Sequence, residues 1–403
     1  MKSILFVDDE PRILAGFQRQ FHAQRAEWTM RFANSGAEAL TMLNQAPADV
    51  LVTDMMMPGM DGAQLLEQVV KLHPDTVRIV LSGHSSDKSV LRLVCPAHQY
   101  LAKPCEPDQL RNTITRALGL RELLGNAELK HLVAQIKTLP SLPVLYTEVM
   151  RELRSTDPSM DQIGKIIARD MAMSAKILQL VNSAFFGLGH HITHPSEAAM
   201  YLGVETMKSL VLSTQVFNQF NRSVANLPGF SIEALWQHCW NTSVFARRIA
   251  QDEGLSKEIV DQCFVSGLLH DVGKLILAAD HSAAFTRALE IAHREKVSLW
   301  VAEKELFGSS HADIGAYLLG LWNFSHPIVE AVAYHHRTGD SVLDELGVAA
   351  IVHGANLLEH YPQPDDFRKL IVPSAPDNLH SGATAVRLEK WSRLCQDADL
   401  PET

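Results

Sequence analysis

The stretch Asp49-Val-Leu-Val-Thr-Asp-Met-Met-Met-Pro-Gly-Met-Asp-Gly62 most constrains how this chain can fold. A run of β-favouring apolar residues ends in a single carboxylate, Asp54, and then breaks at Pro58-Gly59. The pattern predicts a buried strand that delivers one acid to the edge of a sheet, where a loop takes over. In open α/β sheets reactive groups gather at the carboxyl ends of the strands, so Asp54 stands where chemistry is expected.

Similar β-rich runs recur near Lys2–Val7, Thr29–Ala33, Val77–Leu81 and Gln99–Ala102, each separated from the next by a helical pattern. With Val50–Thr53 they predict a doubly wound, five-stranded parallel sheet covered on both faces. The strand ends would gather Asp8, Asp9, Asp54, Ser82 and Lys103. Three carboxylates at one point repel each other unless a cation neutralises them, and an incomplete cage of hard oxygen ligands suits Mg²⁺. A metal-bound carboxylate can attack a phosphoryl group. The Ser82 hydroxyl and the Lys103 ammonium are then placed to hold the transferred oxygens.

These residues closely resemble the receiver domain of bacterial response regulators. The likeness rests on Val-Asp-Asp-Glu at 7–10, Asp-Met-Met-Met-Pro-Gly-Met-Asp-Gly at 54–62, Leu-Ser-Gly at 81–83 and Tyr-Leu-Ala-Lys-Pro at 100–104. It implies a flavodoxin-like fold and phosphorylation of Asp54 by a histidine kinase. Mg²⁺ would bind Asp8, Asp9, Asp54 and the backbone carbonyl of Met56. Asp54, Ser82 and Lys103 would be the reacting set, and Ser82 and Tyr100 the switch pair.

Past residue 124 the pattern changes. Residues 125–137 read as a short helical linker, and from 138 to about 360 helical spacing replaces strand alternation, which predicts an all-α domain. Leu139–Pro143, Ile163–Asp170, Lys176–Gly187 and Ala198–Leu212 together resemble the HDOD family, a branch of the HD-domain superfamily in bacterial signalling proteins. Residues 361–403 form a proline-bearing tail with one amphipathic helix near Ala383–Cys395.

Nineteen histidines are present, and several fall where a metal site would need them. His238, His270-Asp271, His311 and His335-His336 offer imidazole nitrogens and a carboxylate that can bridge two ions, a donor set suited to Fe, Mn or Zn. Lys274 is placed to contact a phosphate. Their order resembles that of the HD-type phosphohydrolases, including the HD-GYP cyclic di-GMP phosphodiesterases. Those enzymes carry a closing Asp on a late helix where this chain has Asn356, with His353 one turn away, and Arg337-Thr-Gly-Asp340 replaces a Gly-Tyr-Pro signature. The resemblance therefore implies a non-catalytic HDOD output that signals through a downstream protein partner. The alternative is a phosphorylation-gated, metal-dependent phosphohydrolase acting on a nucleotide or cyclic nucleotide.

Lys+Arg 36 against Asp+Glu 46 gives a net charge of -10, which argues against nucleic acid as the main partner. Five scattered cysteines, with no CxxC pair, point to a reducing compartment. An N-terminus that turns acidic at Asp8 and the lack of any membrane-length apolar run point to the cytoplasm. A homodimer is left open.

Overall fold

The computed structural model describes residues 1–82, 97–123, 129, 133, 136, 139–141, 143–155, 157–182, 191–212, 218–219, 227–336, 346–361 and 382–396. Its N-terminal part is built from β1 (Lys2–Val7), α1 (Pro11–Gln20), β2 (Trp28–Ala33), α2 (Gly36–Gln45), β3 (Val50–Asp54), α3 (Gly62–Leu72), β4 (Val77–Ser82), β5 (Gln99–Ala102) and α4 (Pro107–Leu123). The strands are all parallel and lie in the order β2-β1-β3-β4-β5. Parallel strands covered on both faces must bury every side chain, and all five residues of β3 are buried.

Successive strand residues feed opposite cores. Ile4, Phe6, Val50 and Val52 join one apolar cluster, while Leu5, Val7 and Leu51 join another with Leu43, Leu65 and Leu66. Each of these apolar side chains contributes about 1.5–3 kcal/mol on full burial. The linker expected over 125–137 lies mostly outside the described residues.

The C-terminal part is helical: α5 (Pro143–Leu153), α6 (Met160–Ala168), α7 (Met171–Val181), α8 (Pro195–Leu212), α9 (Ile232–Asp252), α10 (Lys257–Leu269), α11 (Val272–Asp280), α12 (Ser282–Glu295), α13 (Leu299–Phe307), α14 (His311–Leu321), α15 (His326–Tyr334), α16 (Val348–His360) and α17 (Gly382–Gln396). The all-α expectation needs one correction. Pro140–Ser141 (β6) and Asn218–Gln219 (β7) pair as two short parallel strands. Two residues carry no readable periodicity, so this pairing is a product of tertiary contact. In the tail, α17 packs on α9 and α16, with Trp391 buried and its indole N–H donating to Glu253.

The two parts meet along α4 and α14. Ile114 and Leu118 of α4 share one buried cluster with Tyr317 and Leu321 of α14. The Gln99 side-chain amide donates to the Gly320 carbonyl at 3.3 Å, and the Arg116 guanidinium donates to the Phe324 carbonyl. No helix among the described residues is long and apolar enough to cross a membrane.

Candidate functional site

Two clusters of titratable groups stand out. The first lies at the carboxyl ends of β1 and β3. Asp8 follows β1 and Asp54 closes β3, both nearly fully buried, with Asp9 beside them; the three carboxylates can meet on one ion. The Lys103 ammonium bridges them, 2.7 Å from Asp8 and 2.8 Å from Asp54. Burial works against its charge, but hydrogen bonds to Asp54 and Asp8 more than compensate and raise its pKa.

The loop after β3 is shaped for close approach. Gly59 has φ 79°, and a Cβ on Gly62 would collide with the Asp54 carbonyl oxygen. Asp61 caps α3 by a reciprocal exchange with Gln64. Met56 turns its side chain outward, 66% exposed, which suits a role through its backbone only. Ser82 and Tyr100 sit in the β4–β5 ladder, as the pairs Ser82–Ala102 and Val80–Tyr100 show. Their side chains lie outside the described residues.

The second cluster lies in the helical part. All of its sequence-predicted members converge: His238 on α9, His270 and Asp271 at the break between α10 and α11, His311 at the start of α14, and His335 and His336 after α15. Asp271 occupies the N-cap position of α11 yet makes no capping hydrogen bond. Its carboxylate serves the cluster instead. Oδ2 lies 3.4 Å from Nε2 of both His238 and His270, and Oδ1 lies 3.2 Å from His311 Nε2 and 3.5 Å from His335 Nε2. The close crossing of α11 and α14 depends on Gly273, where a Cβ would strike the His311 carbonyl oxygen.

The imidazoles are oriented from behind. Nδ1 of His238 donates to Glu359 (2.5 Å), that of His270 to the Gly267 carbonyl (2.7 Å), that of His311 to Glu303 (2.6 Å) and that of His335 to the Val332 carbonyl (2.7 Å). With Nδ1 committed as a donor, a neutral ring presents only a lone pair at Nε2. Yet His238 and His270 face each other Nε2 to Nε2 at 3.0 Å, and His311 and His336 do so at 2.8 Å. Between His238 and His270 two lone pairs cannot stand at that distance unless a proton or a cation lies between them; between His311 and His336 the second ring can itself donate from Nε2.

The protein can supply the protons. His238, lowered by burial but raised more by Asp271 and Glu359, sits at about 9, and Glu303 raises His311 in the same way. Burial lowers His270 and His336 and pushes His335 down to about 3. Asp271 is held well below the carboxylate range despite burial, by Lys274 and His270.

The donor set also fits metal ions. Nitrogen ligands about 2.1 Å from one ion stand about 3.0 Å apart at octahedral angles and about 3.4 Å apart at tetrahedral ones. The observed spacings of 2.8–3.5 Å match those edges. His238, His270 and Asp271 could hold one ion, and Asp271, His311, His335 and His336 another.

Asn356 lies beside them on α16, buried, and its Oδ1 has no hydrogen-bond partner among the described residues. His353 donates from Nδ1 to the His335 carbonyl at 2.7 Å. A cavity of about 400 Å³ opens onto the centre, lined by Lys274, Trp300, His336, Asn356 and Tyr361 among others.

Sequence reasoning missed the two carboxylates that do the orienting. Glu303, fully buried on α13, also accepts from the His311 backbone N–H at 2.7 Å and so offsets the positive start of α14. Glu359 lies one turn beyond Asn356, and that i,i+3 spacing on one helix was the available signal.

Comparison with known proteins adds a family to each part. The response regulator receiver domain model matches residues 4–115, and the HDOD domain model matches 139–338. An uncharacterized protein of Treponema pallidum is 26% identical over 56% of this chain and 44% of its own length. The hydrogenase transcriptional regulatory protein HoxA of Cupriavidus necator is 30% identical over 40% of this chain and 32% of its own length. The chain thus spans less than half of either relative. Among solved structures, the MmoQ response regulator from Methylococcus capsulatus is 20% identical, with a TM-score of 0.49, covering 65% of this chain and 95% of that one.

Proposed function

Because this chain joins a response regulator receiver domain to an HDOD domain, we propose that it is a two-component response regulator in which Asp54 takes a phosphoryl group from a histidine kinase and thereby tunes a metal centre in the helical output domain. One observation carries this reading: a single helix, α14, serves both sites. Its Gly320 carbonyl accepts from Gln99, the Phe324 carbonyl just past its end accepts from Arg116, and its first residue is His311.

In the receiver, Lys103 already spans Asp8 and Asp54. Mg²⁺ held by Asp8, Asp9 and Asp54 would balance the acids and free the ammonium for a phosphoryl oxygen. Any shift of β5 and α4 that followed would move Gln99 and Arg116, and with them α14.

The output is proposed to act through a protein partner. Where the HD-type hydrolases have a closing Asp, Asn356 brings no charge, and Asp271 is left as the one carboxylate shared between the two halves. A second reading, hydrolysis of a phosphoester such as a nucleotide, is favoured by the cavity that brings Lys274 beside the histidines. Ions bound there would supply Lewis acidity toward a phosphoryl oxygen. Lys274 would bind that phosphate, and Trp300 and Tyr361 would wall the cavity against it.

The test is a Mn²⁺ titration of the purified full chain with and without acetyl phosphate, in Mg²⁺ buffer. The reading expects phosphoryl label on Asp54 and a shift in Mn²⁺ affinity of the output domain, both lost in Asp54→Asn. Unchanged Mn²⁺ affinity in fully phosphorylated protein would refute the coupling. Turnover of a nucleotide panel that disappears in His270→Ala would promote the hydrolase reading.

A further inference from the structure

The two halves of the histidine centre are not equivalent. Asp271, His311, His335 and His336 offer four donor atoms within reach of one ion, whereas His238, His270 and Asp271 offer three. The halves share Asp271 through different oxygens, and one of those oxygens carries a lysine ammonium. Oδ2, the oxygen facing His238 and His270, takes the Lys274 ammonium at 2.6 Å. Oδ1, facing His311 and His335, has no hydrogen-bond partner among the described residues. An ion in the three-donor half must therefore displace or crowd an ammonium, while an ion in the four-donor half meets an oxygen faced by the imidazoles of His311 and His335, its own prospective ligands. Lys274 lines the cavity together with His311 and His335, and among these it is the ammonium held on Asp271 Oδ2, so an anion in the cavity can draw it away.

Building on the reading of this cluster as a metal centre, we infer that the centre loads in two steps: a resident ion in the four-donor half, then a second ion in the three-donor half that competes with Lys274 and is recruited by a phosphate group. Lys274 acts as the gate. While it holds Asp271 Oδ2, the second position is poor. When a phosphate oxygen takes over the ammonium, Oδ2 is released and the phosphate adds negative charge beside the incoming ion. By linkage the second ion and the phosphate favour each other to the same extent.

The test is equilibrium titration of the metal-stripped full chain with Mn²⁺, with free Mn²⁺ followed by electron paramagnetic resonance. Excess Mg²⁺ throughout keeps the oxygen-lined receiver pocket filled. The expected result is one tight equivalent and a second bound about 10- to 100-fold more weakly, a gap of the size produced by disturbing the hydrogen-bond partner of a metal ligand. Inorganic phosphate should tighten only the second, by about tenfold.

Lys274→Met should narrow the gap and abolish the phosphate response, and His336→Ala should remove the tight phase while His270→Ala removes the weak one. Two equal equivalents, or a second phase indifferent to phosphate, would overturn the inference and leave the metal centre standing. No Mn²⁺ retained beyond the receiver would overturn both. The wild-type titration decides among these outcomes without any variant.

Discussion

The acid pocket at the sheet edge and the histidine centre in the helices solve one problem with different chemistry. Each gathers buried carboxylate where it would be unstable alone, and each lays a lysine across it: Lys103 over Asp8 and Asp54, Lys274 over Asp271. Each also needs a glycine where backbone passes a ligand-bearing residue, Gly62 at Asp54 and Gly273 at His311. The difference lies in the rest of the donor set. Oxygen ligands alone suit a hard ion that exchanges readily, as a reaction repeated at every signal requires. Imidazoles locked from behind by Glu303 and Glu359 suit a borderline ion that stays. Under the proposed function, the receiver site would be visited by its ion and the helical site would stay occupied.

The largest expected effects separate the two sites outright. Asp54→Asn should abolish phosphoryl incorporation from acetyl phosphate while leaving the transition-metal content of the purified protein unchanged. Asp271→Asn should do the reverse, emptying both halves of the histidine centre with phosphorylation intact. It also strands Lys274 in a buried place without its counter-charge, which should cost about 3–5 kcal/mol in urea unfolding. Loss of metal in Asp54→Asn would break the comparison, since the two sites would then share one structural role.

Glycine substitutions test whether close backbone approach matters equally at both. Gly62→Ala and Gly273→Ala each place a Cβ against a carbonyl oxygen, and each should lower stability by about 1–3 kcal/mol. Gly62→Ala should slow phosphorylation alone. Gly273→Ala should weaken Mn²⁺ binding alone, because the carbonyl it strikes belongs to His311. Equal stability of Gly273→Ala and wild type would mean that α11 and α14 can separate without cost.

The two sites also differ in how far the sequence alone discloses them. In the receiver the candidate ligands lie at or just past strand ends, so a short continuous apolar run followed by an acid marks both the element and the site, as at Val50–Asp54. In the helical part the ligand types were legible, since His270-Asp271 interrupts a helical pattern and His335-His336 ends one. Their pairing was not, because it is set by which helices cross, and that depends on contacts such as Gly273 with His311. Glu303 was hidden for a related reason: a glutamate in Leu299-Trp-Val-Ala-Glu-Lys-Glu reads as a solvated face until the start of α14 covers it. The β6–β7 pairing and Asn218–Gln219 in particular had no local signal at all.

Glu303 offers a test of whether the helical centre is held from behind as argued. Glu303→Gln keeps the size of the side chain but replaces the carboxylate that receives the His311 Nδ1–H and backbone N–H. Loss of such an orienting partner typically weakens metal binding by about 10- to 100-fold. Chelator competition should register that loss, while phosphorylation of Asp54 proceeds at the wild-type rate. An unchanged affinity would mean that His311 is placed by the Ser310–Asp313 capping box alone.

The smallest expected effect bears on the link between the sites. Arg116 is half-buried at the α4–α14 contact, and its guanidinium reaches the Phe324 carbonyl just beyond α14. Arg116→Ala touches neither the acid pocket nor the histidines. It should leave phosphorylation of Asp54 and the Mn²⁺ affinity of the unphosphorylated protein unchanged. What should shrink is the difference between Mn²⁺ affinities with and without phosphorylation, by about 0.5–2 kcal/mol of coupling. The sign of the original difference must persist if Gln99 still engages Gly320, since that second contact reports on β5 rather than α4. A coupling untouched by Arg116→Ala but lost in Gln99→Ala would move the communicating element from the last receiver helix to the edge strand. The shared helix α14 would remain the receiving end in either case.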